Sequence, residues 1–326
     1  MRLIRGLHNL TPFSNGCVAT IGNFDGVHKG HQKILSQVKA VAAARGVPSV
    51  VMVFEPQPRE YFSQGDVPSR LMRFREKLSH LARQNIDVVL CLQFNERLRS
   101  LSAAEFVQQI LVDKLALKHL VVGDDFRFGC DRKGDFSMLQ QAGERQGFSV
   151  ENTRTVIVEG ERVSSSRVRV ALEQHQFRLV EALLGYPYSI TGCVVHGQKL
   201  GRQLGVPTAN VAPGRKVLPL QGVFAVRVRL VGKHNYYCTA GQERAWFGVA
   251  NIGMRPTVKG IAPSLEVHLF DFSVQDSGGE LYGQHIQVAF LQWLRSEIKF
   301  DGIASLKLQI ERDIAQAREL CAGLAG

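Results

Sequence analysis

No two of the six cysteines form a CxxC pair. Cys17, Cys91, Cys130, Cys193, Cys238 and Cys321 are scattered along the chain. Metal and disulfide frameworks are therefore unsupported, and a reducing, cytoplasmic setting is expected. No run of about 18 apolar residues occurs, and the N-terminus lacks a signal-peptide apolar region, so no membrane association is expected. Acidic residues are the scarcer charge, 29 against 40 Lys and Arg, leaving a net charge of +11. The basic excess is spread along the chain, with no tail and no Lys/Arg-rich helix. That spread favours small anionic partners or a solvated surface over a nucleic-acid stripe, and no nucleic-acid partner is expected. With 326 residues, 45% of them apolar, the chain can build two well-packed cores.

What is present begins with Gly22-Asn23-Phe24-Asp25-Gly26-Val27-His28-Lys29-Gly30-His31. Val18 to Ile21 ahead of it suit a buried strand, and Ile34, Leu35, Val38 and Ala42 recur at helical spacing. The glycine-rich turn thus joins a strand to a helix, with His28 and His31 in the helix's first turns. A helix start carries unpaired N–H groups and the positive end of the dipole, which suits phosphate. A glycine between the imidazoles would let a phosphate approach the backbone. No Gly-Lys-Ser/Thr follows and the spacing is not GxGxxG, which removes two common phosphate loops. A plain turn with two exposed histidines is the bland alternative. His-x-Gly-His in this setting resembles the HIGH-type signature of the nucleotidyltransferase superfamily.

From 17 to 158, strand and helix patterns alternate. Val50 to Phe54 reads as a strand ending at Glu55-Pro56-Gln57-Pro58, Leu71 to Leu81 as a helix, and Val88 to Leu92 as a strand. Ser102 with Glu105 makes a capping box, and Leu120 to Val122 is a short strand running into Gly123-Asp124-Asp125-Phe126-Arg127-Phe128-Gly129. Such units predict a doubly wound parallel sheet whose ligands lie beyond the strands' carboxyl ends. Segment 123–129 combines carboxylates, an arginine and aromatics, either a ligand rim or an Asx-type turn with a satellite aromatic cluster. Ser164 and Ser165 open a helix with Arg169 about one turn on. They make an ordinary N-cap or a second phosphate-gripping helix end.

After Gly185 the pattern changes to strands at Ser189 to Val195, Gly222 to Leu230, Ala245 to Ala250, Leu265 to Phe270 and Ile286 to Leu291. An antiparallel sandwich or small barrel is expected, closed by an amphipathic helix from Ile303 to Leu320, with the domain boundary near 185. Gly197, Gly201 and Gly205 loosen a loop that carries Lys199 and Arg202, a means of wrapping phosphate. Thr208 and Asn210, two apart, offer oxygen ligands on one face of an extended segment, as Mg²⁺ prefers; a hairpin end is the alternative. Glu266 lies within an apolar strand. Facing water it would be ordinary, and facing a pocket it could take a proton from a hydroxyl. His268 should share its face.

Together these residues resemble the bacterial bifunctional riboflavin kinase/FMN adenylyltransferase family, also called bifunctional FAD synthetases. The motifs run in the family's order: GNFDGVHKGH, FEPQPRE, GDDFRFG, VSSSRVR, HGQKLGRQLGVPTAN, GVANIGMRPTVKG, LEVHLFDF and LYG. The resemblance implies a Rossmann-like nucleotidyltransferase domain over 1–185 and a riboflavin kinase β-barrel over 186–326. It implies phosphorylation of riboflavin by ATP and Mg²⁺ to FMN, then transfer of AMP from a second ATP to FMN, giving FAD and pyrophosphate.

By the same resemblance His28 and His31 act on the ATP phosphates, in a pocket shaped by Gly22, Asn23 and Asp25. Ser164, Ser165 and Arg169 clasp the polyphosphate, and Asp124, Asp125, Phe126 and Arg127 line the flavin side. In the barrel, Thr208 and Asn210 hold Mg²⁺, Glu266 is the base, and Gly201, Arg202 and Gly205 belong to a phosphate flap. Gln57 stands where many members carry histidine, Ser166 where threonine is common, and Met254 where a small hydroxyl residue is frequent. Gln57 cannot act as a cation, and no catalysis is assigned to it. Residues 238–246 form a family-atypical stretch with no assigned function.

Two rival accounts remain at this point. One is a single-activity nucleotidyltransferase with a non-catalytic barrel. The other is a nucleic-acid-binding barrel using Arg227 and Arg229, although interleaved exposed aromatics for stacking are missing.

Overall fold

The computed structural model describes residues 1–63, 67–197, 205–232, 245–257, 260–273 and 281–323. Two compact units emerge. One comprises Met1–Pro68 and Lys77–Ser164, the other Ser69–Glu76 and Ser165–Gly326.

The first unit is an α/β layer structure. Its strands are β1 (Arg2–Arg5), β2 (Cys17–Ile21), β3 (Ser49–Glu55), β4 (Val88–Gln93), β5 (Leu117–Gly123) and β6 (Ser149–Thr153). They form one sheet in the order β1-β4-β3-β2-β5-β6, every pair parallel. Alternation along β2 explains why both faces are covered. Cys17, Ala19 and Ile21 join a core with Val50, Leu90, Leu120 and Ile110, whereas Val18 packs with Val38 and Ala42. Those last two belong to helix α1 (Lys29–Arg45), on the opposite face. β1 and β6 go beyond the strands the sequence predicts. Arg-Leu-Ile-Arg and Ser-Val-Glu-Asn-Thr are too short and too polar to register as buried strands.

The predicted helix at 71–81 is α2 (Phe74–Arg83), and the boundary between the units falls inside it. Glu76 explains the assignment of 69–76. Its carboxylate pairs with the buried Arg215 guanidinium and accepts the Thr191 N–H at 2.7 Å. Arg215 also donates to the Tyr188 hydroxyl at 2.8 Å, so no charge is left bare in this buried cluster. Helices α3 (Ser165–Glu173) and α4 (Phe177–Leu184) likewise belong to the second unit.

The rest of the second unit is a closed antiparallel barrel of β7 (Ser189–Val195), β8 (Ala209–Ala212), β9 (Gly222–Val231), β10 (Ala245–Thr257), β11 (Gly260–Leu269) and β12 (His285–Arg295). Its order is β8-β11-β10-β9-β12-β7, with β7 returning to β8. Helix α5 (Ile303–Ala322) packs Ala317 and Cys321 against Val223, Ala225 and Leu294 of the barrel. Arg227 and Arg229 of β9 are half-buried, and Arg227 interacts with Glu181 of α4, so this basic row is partly covered. Among the described residues no helix is long and apolar enough to cross a membrane.

Candidate active sites

The first site lies at the carboxyl ends of β2, β3 and β5. β2 is buried throughout, and the Gly22 N–H makes a last sheet-like bond to the Met52 carbonyl at 3.1 Å. In the turn that follows, Phe24 and Val27 adopt φ of 48° and 34°, a region costly for a side chain and especially for a β-branched one. Both are almost fully buried, so packing holds the strain. Asp25 is buried beside them.

His28 is the N-cap of α1, and its Nδ1 accepts the His31 N–H at 3.3 Å. The ring proton of His28 therefore sits on Nε2. The two imidazoles stack with centroids 3.7 Å apart and planes 14° from parallel. Gly30 makes this possible, since a Cβ there would come within 3.1 Å of the His28 ring. The glycine expected to admit a phosphate thus also admits an imidazole.

His31 Nδ1 is buried without a hydrogen-bond partner among the described residues. Burial first, and then the neighbouring His28 and Lys77, hold its pKa well below the usual histidine range. Lys77, on α2, is fully buried with Nζ 3.7 Å from Glu55 Oε1. The sequence reading passed over Lys77. The available signal was its place at apolar spacing with Phe74, Leu78 and Leu81. Gln57 is also buried, and its Nε2 lacks a partner among the described residues.

The 123–129 segment forms an exposed rim after β5. Arg162 pairs with Asp124 at 3.1 Å and with Asp125 at 2.9 Å, and the Thr155 hydroxyl donates to Asp124. Arg127 pairs with Asp135 at 3.2 Å. Phe126 stacks on Phe128 with centroids 5.7 Å apart and leans on the sheet core. Carboxylates and ring thus share one rim. Ser164 belongs to the first unit, whereas Ser165 and Arg169 lie on α3 in the second. There the Arg169 Nε donates to the Ser69 carbonyl at 2.6 Å.

The second site is a cavity of about 210 Å³ in the barrel unit. Thr208, Asn210, Glu266 and His268 all line it, so two pairs of positions far apart in sequence converge. Register explains why. Glu266 of β11 pairs with Asn210 of β8 on one side and Asn251 of β10 on the other. Directly opposed residues point to one face, so the three side chains form a row. His268 Nδ1 donates to the Pro207 carbonyl at 2.9 Å and so fixes the turn carrying Thr208. Arg255 pairs with Glu266 at 2.5 Å.

At the far wall Arg295 makes a bidentate pair with the buried Asp313 of α5 at 2.7 to 3.1 Å. Ile298, Phe300, Leu306, Ile310 and Ile314 supply an apolar wall large enough to meet an aromatic ring system. Asn251, Arg255, Glu297 and Asp313 were not singled out from sequence, because their convergence depends on register and on α5. Gly201 and Arg202 lie outside the described residues. Gly205 is exposed, with φ of 79°, and does not line the cavity.

Depressed histidines make acid stability predictable. Burial, assisted by Arg83, pushes His80 down to about 3, and His31 is also lowered. Below the unfolded histidine pKa, about 6.5, the unfolded chain takes up protons that these folded imidazoles refuse, so stability falls as pH falls. From pH 7.5 to 5.5 the loss for His80 is on the order of 1 kcal/mol. Urea unfolding at the two pH values, followed on the first unit, should show this drop, reduced in His80→Gln. Equal stability at both values would contradict it.

Family models match both halves of the chain. One described as FAD synthetase matches residues 10–167, and one described as riboflavin kinase matches residues 184–321. The bifunctional riboflavin kinase/FMN adenylyltransferase of Pseudomonas fluorescens is 54% identical, over 99% of this chain and 98% of its own length. The Escherichia coli (strain K12) protein of the same name is 48% identical, over 98% of this chain and 97% of its own. Among solved structures, a Streptococcus pneumoniae protein titled macrolide-efflux protein superposes with a TM-score of 0.79 at 27% identity, covering 95% of this chain and 97% of its own.

Proposed function

Because the chain belongs to the bifunctional riboflavin kinase/FMN adenylyltransferase family, we propose that its two activities divide between residues 1–185 and 186–326, each with its own anion-handling site. The chain phosphorylates riboflavin with ATP to give FMN, and it joins AMP from ATP to FMN to give FAD and pyrophosphate. The match of the riboflavin kinase model to the barrel favours two activities over the single-activity account. The observation that carries the assignment of residues is the row Asn210–Glu266–Asn251 around one cavity, set apart in sequence from the His28–His31 stack.

In the barrel, Glu266 takes the proton from the riboflavin 5′-hydroxyl as that oxygen attacks the γ-phosphorus of ATP. The bond between the γ-phosphorus and the bridging oxygen breaks, and ADP leaves. Arg255 keeps the carboxylate in place, and the apolar wall up to Ile314 takes the isoalloxazine rings. Thr208 and Asn210 bring a hydroxyl and an amide oxygen into the cavity beside a carboxylate, an all-oxygen donor set that fits Mg²⁺. When bound there, Mg²⁺ neutralises phosphate charge and orients the γ-phosphoryl group.

In the first domain the FMN phosphate is already anionic and needs no base. His28 and His31 meet the α-phosphate as hydrogen-bond donors, within the pocket of Gly22, Asn23 and Asp25. Ser164 grips the β- and γ-phosphates, and Asp124, Asp125, Phe126 and Arg127 orient the flavin. Neither reaction calls for nucleic acid, and the cytoplasm, where ATP is abundant, is the proposed location.

Excess EDTA is expected to stop FMN formation, with MgCl₂ restoring it. Asn210→Ala should raise the Mg²⁺ concentration for half-maximal kinase activity by about tenfold or more. Chromatography of riboflavin and FMN over an Mg²⁺ titration reads both effects. An unchanged Mg²⁺ requirement in the variant would remove Asn210 from the metal site.

A further inference from the structure

Asn251 is placed beside the proposed base and carries an atom with nothing to do. Its Oδ1 is buried and lacks a hydrogen-bond partner among the described residues. Its Nδ2 donates to Glu297 Oε1 at 3.0 Å. A carboxylate only accepts, so Glu297 dictates which way the amide is turned: the NH₂ faces Glu297 and the oxygen faces away from it. The side chain lines the cavity and stands opposite Glu266 in the β10–β11 register. Cβ atoms of such pairs lie about 4.5 to 5.5 Å apart. A buried acceptor with no partner costs stability unless a ligand supplies the donor.

Glu297 itself sits in a prepared place. The Glu297 carboxylate lies against Gly253, where an added Cβ would come within 2.1 Å of Oε1. Glycine two residues after Asn251 is therefore what lets Glu297 reach the Asn251 amide. Gln221 Nε2 approaches the other carboxylate oxygen at 3.5 Å. Gly253, Glu297 and Asn251 thus make one orienting device directed at the cavity.

We propose that Asn251 Oδ1 accepts a hydrogen bond from the ribityl hydroxyl next to the one phosphorylated, with Glu297 as the positioning residue that turns the amide. The inference rests on Glu266 being the base, since that places the 5′-oxygen at the middle of the row. A vicinal hydroxyl then falls within reach of the adjacent strand. The acceptor selects a polyol chain over an alkyl one and aligns the attacking oxygen.

The test uses the full-length protein and two arms. In the first, wild type is given riboflavin or 4′-deoxyriboflavin. The deoxy compound is expected to lose about tenfold in kcat/KM, the value of one such hydrogen bond. This arm needs no variant and so survives any folding defect. In the second, Asn251→Ala is expected to raise the riboflavin KM about tenfold and to treat the two flavins alike. Glu297→Ala should raise KM less, adding nothing in the double variant, and Glu297→Gln should restore part of it. Conversion of supplied FMN to FAD monitors folding.

Equal use of both flavins by wild type overturns the proposal, as does an Asn251→Ala effect that appears in the Mg²⁺ requirement instead of the riboflavin KM. Failure of the base assignment looks different: Glu266→Ala would retain FMN formation.

Discussion

Glu266→Ala is expected to lower FMN formation from riboflavin by about 10² to 10⁴-fold, the range for loss of a positioned general base. The same variant should convert supplied FMN to FAD at the wild-type rate. A ribityl hydroxyl is a poor nucleophile until its proton is taken, and Glu266 is the carboxylate at the centre of the cavity row. Removing it also leaves Arg255 without its partner at 2.5 Å. Glu266→Gln therefore provides a shape-matched control, keeping the volume and a hydrogen-bond acceptor while losing the basic carboxylate. Both variants should fail alike, with KM for riboflavin changing less than kcat. Product chromatography after incubation with riboflavin, ATP and MgCl₂ reads the outcome. A fully active Glu266→Gln protein would remove Glu266 from proton transfer.

The converse result is expected for His28→Ala, in which FMN should accumulate while FAD formation falls by about 10² to 10³-fold, as when one preorganised donor to a developing charge is lost. His28 does two things at once. It caps α1 through Nδ1 and stacks on His31. His28→Asn separates the roles, because asparagine is a good N-cap and a poor replacement for a stacked imidazole. Helix stability should recover in His28→Asn while adenylyl transfer stays impaired. If His28→Asn regained full activity, capping alone would account for the residue. Kinase activity unchanged in both variants supports the two-site division. Loss of both steps in a folded His28→Ala protein would contradict it.

Legibility from sequence followed the range of the interactions. The β2–turn–α1 unit was readable because everything that makes it is local: a short apolar run, a glycine-rich turn, and helical spacing after it. The barrel strand Ser189–Val195 matched its predicted span, and α5 was evident from Ile303, Leu306, Ile310 and Ile314. Thr208, Asn210, Glu266 and His268 were named from residue type and motif, and the cavity gathers all four. The grouping of residues 69–76 with the barrel was less legible. Glu76 groups 69–76 with the barrel through Arg215 and Thr191, partners more than 100 positions away, which no local pattern announces.

Periodicity and spacing were enough for the two-part architecture, a parallel sheet followed by antiparallel strands, since those rest on residues close together in the chain; the barrel and the chemistry of each half came from the resemblance of the motifs to the family. Which side chains surround the reacting atoms was settled by strand register and burial. Asn251 faces Glu266 because β10 pairs with β11 at that step, and Lys77 acts on His31 because both are buried in the same core. A pairing register is a relation between distant segments, chosen by the packing of the whole core, and no window of sequence contains it.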